Sequence, residues 1–461
     1  MRVQRWTEMD CMQRQLLTER GTSAIFDPQL RASIGRIIED VQTNGDEAVC
    51  RALRDFDRIS LRPDQLKVTE AEIDRAVSCL DSPLVDAVDD SIAHIRRFNE
   101  QVLDRVGGSW RYQSDPGLWV GEQTSPIASA ALFCPSGKAS YPSVMAQLGV
   151  PATVAGVPTL VVITPPIPGA VDGAVDPATL LVAQRLGITE IFRVNGPAGV
   201  AAVAFGTETI PQVRKVIGPG SPAVVCAQIE VQRFGCATMM LLGPTESMVI
   251  ADGSADPSLL AADLLIEAEH GTDSTVVLVL VTDTNQSQLD AVQAELSRQI
   301  AVLPSIRQEA ARASLGTNGG CVLVDSLEQA AEVANAFGAE HLQIATADPN
   351  ALLLMIHNAA EILLGQNTPF SAGNFVLGPP ASLPTSGFAA VSSGVTVEAF
   401  IKRTAVAMCD EAALRRVGPT ITALADHEGF PAHANAIRLR HGGWPTQVAH
   451  DPQRQLGQKT D

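Results

Sequence analysis

Between residues 132 and 364 the chain alternates short apolar runs with helix-length segments, and this alternation constrains the fold more than any other feature. The run 160–164 is stopped by Pro165-Pro166, and 177–186 reads as a helix closed by Gly187. A strand at 190–194, a helix at 197–205 closed by Gly206 and a strand at 213–217 follow, then Gly218-Pro219-Gly220 and a helix through Gln232. The pattern restarts near residue 239 with a strand at 247–251 and a helix from Pro257, N-capped by Asp256, to His270. Further strands read at 275–282, 321–324, 342–345 and 362–364. The run 275–282 is apolar continuously rather than at every second residue, so both faces of that strand are covered, as in a parallel sheet under helices. The expected fold is α/β, with two Rossmann-like domains of parallel sheet.

Residues 1–28 read as an N-terminal arm, with helices at 30–39, 46–56 and 82–102 and extended chain at 116–131. A helix at 396–413 opens a helical C-terminal region, and the last twenty residues read as loose. The expected division is a 1–28 arm, one α/β domain from 29–131 and 239–386, a second from 132–238, and a C-terminal helical segment, 387–461. Of the 461 residues 46% are hydrophobic and 18% charged, enough for large cores. The net charge of −18 argues against nucleic-acid partners, which need clustered Lys and Arg. The most apolar run, 276–281, is far too short to span a membrane, and no apolar core follows the charged start, so neither a membrane segment nor a signal peptide is expected. The eight cysteines are scattered without a CxxC, as expected of reduced thiols in a cytoplasmic protein.

Three of the eight histidines have chemically suggestive neighbours. His270 follows Glu267 by three residues, a spacing that puts both on one helix face and recurs in carboxylate–histidine metal sites. A histidine at the negative end of a helix dipole has the same pattern. Glu340 and His341 are adjacent at a helix-to-strand junction, where a carboxylate and an imidazole could serve as two bases of different strength. His433 follows Glu428 on a broken element near the C-terminus. Gly218-Pro219-Gly220-Ser221 could present N–H groups to a phosphate or be a plain turn, and there is no GxGxxG or P-loop.

Segments along almost the whole chain resemble the histidinol dehydrogenase family. They include Asn44-Gly45-Asp46-Glu47-Ala48, Asp55-Phe56-Asp57, Pro135-Ser136-Gly137-Lys138-Ala139-Ser140-Tyr141-Pro142-Ser143 and Ala204-Phe205-Gly206-Thr207-Glu208-Thr209-Ile210-Pro211. Gly218-Pro219-Gly220, Gly243-Pro244-Thr245-Glu246, Ala268-Glu269-His270-Gly271, Ala339-Glu340-His341-Leu342 and Leu383-Pro384-Thr385 continue the match. The resemblance implies a zinc- and NAD-dependent homodimer that oxidises an amino alcohol through the aldehyde to the acid. Its C-terminal segment would reach into the partner's site. By this resemblance 29–131 with 239–386 is the catalytic domain, 132–238 the cofactor domain and 387–461 the dimer-swapped segment.

Carried over residue by residue, Glu340 and His341 are the catalytic pair, and His270 and His433 are the zinc histidines. Glu428 is a substrate-binding carboxylate, and Thr245 stands for the family's substrate-binding Ser. Glu267 stands where the family has a Gln ligand and Asn374 where it has an Asp, so one carboxylate is gained and one lost. Two imidazoles, a carboxylate and an amide oxygen remain acceptable to Zn²⁺. At the cofactor positions Phe133 replaces Tyr, Ala198 replaces Gln and Ser221 replaces Asn, each with less polar reach. Ala381 replaces a substrate-holding His and cannot hydrogen-bond through its side chain, which points away from histidinol as substrate. The expectation is oxidation of a small polar alcohol other than histidinol. Two alternatives stay open: an authentic histidinol dehydrogenase, and a metal- or ligand-binding paralogue without NAD-dependent activity.

Overall fold

The structure, a computed structural model, describes residues 1–18, 27–136, 140–170, 172–239, 243–282 and 286–442. Its strands are β1 (Val3–Arg5), β2 (Trp110–Asp115), β3 (Leu118–Pro126), β4 (Ala130–Phe133), β5 (Leu160–Thr164), β6 (Glu190–Arg193) and β7 (Val216–Ile217). They continue as β8 (Glu246–Ala251), β9 (Thr275–Val281), β10 (Gly320–Val324), β11 (Ala339–Ala345), β12 (Ala359–Leu364) and β13 (Ile401–Cys409). Two compact units divide them: Met1–Val106 with Pro126–Lys402, and Gly107–Ser125 with the chain from Arg403 onward.

The first unit holds two parallel sheets. One has six strands in the order β1-β10-β9-β8-β11-β12. Separate apolar layers cover its two faces, one around Leu264, Leu278 and Phe370, the other around Val277, Phe337 and Leu342. This explains the unbroken apolarity of β9, where six of seven residues are buried. The other sheet has four strands in the order β6-β5-β4-β7, also parallel. The predicted helix starts hold where they carry a cap: Asp256 accepts from Ser258 N–H and Asp176 from Thr179 N–H, with Pro next in each case.

Four features differ from the sequence expectation. The N-terminal arm is not wholly helical: β1 pairs with β10 and Trp6 is buried in the six-stranded core, because Trp6, Met9 and Leu17 supply apolar side chains to that edge. Residues 19–26 of that arm lie outside the described residues. Helices Pro28–Ala52 and Ser82–Val106 cover opposite faces of the four-stranded sheet rather than belonging with the six-stranded one, burying Ile34, Val41 and Val49 on one side and Ile92 and Ile95 on the other. Asn44-Gly45 kinks Pro28–Ala52 without ending it, since Gly45 takes a φ of 50°. The predicted strand at 213–217 contracts to β7.

The second unit overturns the all-helical C-terminal segment. The expected helix at 396–413 is a short turn, Val397–Phe400, followed by β13, which lies beside β3 in the three-stranded order β13-β3-β2. Ile401, Thr404 and Val406 favour extended chain over a helix. Helices Glu411–His427 and Pro431–Arg440 complete this unit, and the predicted loose tail from 443 lies outside the described residues. Among the described residues no helix is long and apolar enough to cross a membrane.

Candidate active site

Strand register builds the centre of the site. Backbone pairing sets His341 of β11 between Ser247 of β8 and Glu361 of β12. The His341 ring is held from that side: its Nδ1 lies 2.8 Å from Glu361 Oε2. Its Nε2 faces Glu340 Oε1 at 3.8 Å, beyond hydrogen-bond length. Phe370 packs edge-on against the ring at 5.7 Å between centroids. Glu340 Oε2 accepts from the Glu246 N–H at 3.0 Å. Both members of the pair are buried, His341 to 3% exposure and Glu340 to 8%.

Burial pushes the Glu340 carboxyl up to about 8, reinforced by the Glu267 and Glu246 carboxylates against the opposing pull of His341 and the Glu246 N–H. For His341 burial acts the other way, but Glu267, Glu361 and Glu340 outweigh it and raise the imidazole to about 9. Glu267 therefore acts on both members of the pair, and three carboxyl groups (Glu267, Glu340 and Glu361) act on one imidazole. This site lies at the amino ends of β8, β11 and β12, not at the carboxyl ends where open α/β sheets usually take ligands.

The amino-end location also brings in the predicted metal ligands. Helix Pro257–Ala268 returns from β8, so its C-terminal turn carries Glu267 and His270 back to this edge. Asn374, on helix Phe370–Phe375, donates from Nδ2 to Glu267 Oε1 at 2.8 Å, and Glu267 Oε2 lies 3.3 Å from His270 Nδ1. His270 Nδ1 also lies 3.1 Å from the Ile266 carbonyl. These contacts engage Nδ1 of the ring and the NH₂ of the amide, leaving His270 Nε2 and Asn374 Oδ1 as donor atoms for a metal. Among the described residues no group of three His, Cys, Asp or Glu side chains is placed to hold a metal, as follows once an Asn takes a ligand position. Carboxylate, imidazole and amide oxygen are together still a zinc-compatible set.

The remaining predicted residues divide between the units. Thr245 precedes β8, and Ala381 lies in the loop before Thr385. The two loops are joined where the Gly243 N–H donates to Thr385 Oγ1 at 2.7 Å. Glu428, just past helix Glu411–His427, and His433, in the next helix with its ring tilted against that of Phe430, belong to the second unit. Phe133 ends β4, Ala198 is in the first turn of helix Gly196–Phe205, and Ser221 caps helix Pro222–Val231. The chain runs β4-β5-β6 outward in one direction and returns to place β7 on the other side of β4, so Phe133 and Ser221 flank a topological switch point at the carboxyl ends. Gly218 passes so close there that a Cβ would meet the Phe133 carbonyl oxygen at 2.0 Å. Phe133 and Ala198 are each only 2% exposed, so a dinucleotide would meet mainly backbone and Ser221 at this crevice.

A sequence model of the histidinol dehydrogenase family matches residues 22–441. The chain belongs to the histidinol dehydrogenase family. A histidinol dehydrogenase homolog of Colwellia psychrerythraea is 38% identical over 95% of this chain and 96% of its own length. The histidinol dehydrogenase of Synechocystis is also 38% identical, over 89% of this chain and 93% of its own length. The crystal structure of histidinol dehydrogenase from Elizabethkingia anophelis superposes with a TM-score of 0.88 at 29% identity, covering 96% of this chain and 98% of that one. Histidinol dehydrogenases are NAD-dependent oxidoreductases. Sequence reading of this family member singled out Glu340 and His341 but missed Glu361. The available signal was a lone acid in the otherwise apolar run of β12, Ala359–Leu364.

Proposed function

We propose that this member of the histidinol dehydrogenase family is a zinc- and NAD-dependent dehydrogenase acting on a small polar alcohol other than histidinol. The observation that carries the reading is the buried Glu340–His341 pair beside Glu267, His270 and Asn374. Glu267, His270 and Asn374 would hold the zinc, with the fourth ligand, His433, supplied by the dimer-swapped segment of a second copy, and the zinc would supply a Lewis acid for orienting a hydroxyl or amine. Phe133, Ala198 and Ser221 would hold the NAD, which would supply the hydride acceptor when bound. His341 takes the hydroxyl proton on Nε2. Glu340, whose carboxyl is held neutral until about pH 8, becomes a base for water once ionised, so an onward step from aldehyde to acid stays within the site's chemistry. Thr245 and Glu428 contact the substrate, and the acidic surroundings of His341 suit a neutral or cationic molecule over an anion.

Ala381 carries the choice of substrate class, since no side-chain hydrogen bond can come from it. The second reading, an authentic histidinol dehydrogenase, draws on the equal identity to relatives under both names. A homodimer belongs to the proposal: β2 is exposed along its whole length, with Trp110 and Tyr112 stacked on it and Trp119 exposed on β3, an apolar surface suited to a second copy. Five of the eight cysteines are buried, in keeping with a cytoplasmic, reducing setting. The test is NADH formation across a panel of hydroxy and amino alcohols that includes histidinol, with metal content measured on the same preparation. Turnover of another alcohol well above histidinol is expected. Best turnover with histidinol favours the second reading. No NADH with any alcohol, no NAD⁺-dependent thermal shift and no metal would leave a ligand-binding paralogue.

A further inference from the structure

Glu361 has no part in the chemistry above, yet it is the group most closely bound to His341. Its neighbours in β12 are alanines, an isoleucine and leucines, and its side chain is 3% exposed. Burying a carboxylate there costs several kcal/mol of hydration, and a lone carboxylate–histidine pair seldom repays that as stability. Its Oε1 has no hydrogen-bond partner among the described residues, which raises the cost. Its printed polar contact is His341 Nδ1 at 2.8 Å.

That contact is fixed by backbone on both sides. The pairing His341↔Glu361 sets the two side chains side by side on one face of the sheet. Behind the carboxylate, Gly373 leaves the space it needs, because a Cβ there would meet Oε1 at 2.7 Å. A nitrogen held against a carboxylate keeps its proton in both charge states of the ring. Nε2 is then the nitrogen that gains and loses a proton, and it faces Glu340 across a gap of 3.8 Å.

We propose that Glu361 is a positioning residue for His341: it fixes the Nδ1–H tautomer, presents Nε2 to the substrate hydroxyl, and stabilises the imidazolium formed when Nε2 takes the proton. The inference rests on His341 being the base of the proposed oxidation. The hydroxyl proton goes to Nε2 of His341 and no further. Carboxylates that orient a working imidazole in this way commonly change its activity 10–100-fold when removed.

The test has one arm that needs no substrate. The one-dimensional proton spectrum of the full chain is recorded for the wild type, His341→Asn, Glu361→Gln and Gly373→Ala. The wild type is expected to show an exchange-protected Nδ1–H resonance far downfield of the amides. It should vanish in His341→Asn, vanish or move upfield in Glu361→Gln, and move in Gly373→Ala, which crowds Oε1 without touching His341. In the second arm, with the best alcohol of the panel, Glu361→Gln should lower kcat about 10–100-fold with KM within about twofold. The pH–rate limb should move to lower pH, since loss of the charge disfavours the imidazolium. A merely structural role would leave that limb in place. A downfield resonance unmoved by both Glu361→Gln and Gly373→Ala overturns the proposal, as does an unchanged kcat in Glu361→Gln. Full activity of His341→Asn with the spectral pattern intact overturns the base reading and the catalytic purpose of the contact, while leaving the contact itself standing. Gly373→Ala keeps the test decisive if Glu361→Gln does not fold.

Discussion

Asp263→Asn should stabilise the protein increasingly above about pH 4, with the full gain reached above about pH 6. Asp263 sits one turn before Glu267 on the same helix, 5% exposed, with the Gln343 amide as its polar neighbour. Burial raises its carboxyl from 3.8 to about 6, against a smaller lowering by Gln343. The folded pKa lies above the unfolded one, so the folded state loses stability as pH rises from about 4 to about 6 and recovers none beyond. A displacement of that size is worth about 3 kcal/mol at neutral pH. The Asn variant cannot ionise, so the loss is absent. Its NH₂ also supplies a donor beside Gln343, whose Oε1 has none among the described residues. For a chain of this length about 3 kcal/mol corresponds to about 3 °C in Tm. Thermal melts of wild type and variant at about pH 7.5 and about pH 4.5 measure it. The expected pattern is a higher Tm for the variant at the upper pH and a smaller difference at the lower. A variant less stable at the upper pH, or a difference independent of pH, would show that ionised Asp263 has a stabilising partner and refute the reasoning.

His270→Ala should reduce bound zinc, measured by elemental analysis, to a small fraction of that in the wild type, whereas His341→Asn should keep the metal and lose NADH formation. The neighbours that raise His341 to about 9 delay release of its proton, so kcat/KM for alcohol oxidation should climb with pH up to about 9. Glu267 is the largest of the raising influences, and Glu267→Gln should move that limb to lower pH in a pH–rate profile. Ala381→His should raise kcat/KM for histidinol at least about tenfold by restoring a hydrogen-bonding side chain, read as NADH formation; no gain would show that Ala381 does not decide the substrate.

The α/β architecture was legible because fully buried parallel strands leave unbroken apolar runs, as at β5 and β9. Asp256-Pro257 marked a helix start for an equally local reason. The three-stranded sheet was not legible: β13 has no buried residue and so no alternating face to separate it from a helix, and its partner β3 lies far away in sequence. The same non-locality hid Glu361, whose role arises only from strand register. Glu340 and His341 stood out because two chemically distinct bases are adjacent in the chain. Glu267, His270 and Asn374 are also gathered by the structure, though Asn374 comes from an element more than a hundred residues away. The packing of helices Pro28–Ala52 and Ser82–Val106 on the four-stranded sheet was beyond periodicity, which shows that a helix has an apolar face but not what it covers.

The two sheets present opposite edges to chemistry, and the polarity of their helices explains why one unit can serve both a cation and an anion. At the amino ends of β8, β11 and β12, helix Pro257–Ala268 arrives with its C-terminus, the negative pole of its dipole. Glu246, Glu267 and Glu361 add acidic side chains of the same sign. Such an edge favours a divalent metal or a cationic substrate group. At the carboxyl ends of β6 and β7 the helices Gly196–Phe205 and Pro222–Val231 begin, turning positive poles and free N–H groups toward the crevice beside Phe133 and Ser221. That edge favours a pyrophosphate even where Phe133 and Ala198 offer no polar side chain. Ser91 Oγ, on helix Ser82–Val106 over the four-stranded sheet, donates to the Phe375 carbonyl at 2.6 Å, beside Asn374, and Gln147 Nε2 donates to the Pro379 carbonyl. The segment carrying Asn374 and Ala381 is thereby tied to the four-stranded sheet at Phe375 and Pro379, and these two backbone ties couple the acidic edge to the sheet whose helices turn positive poles outward.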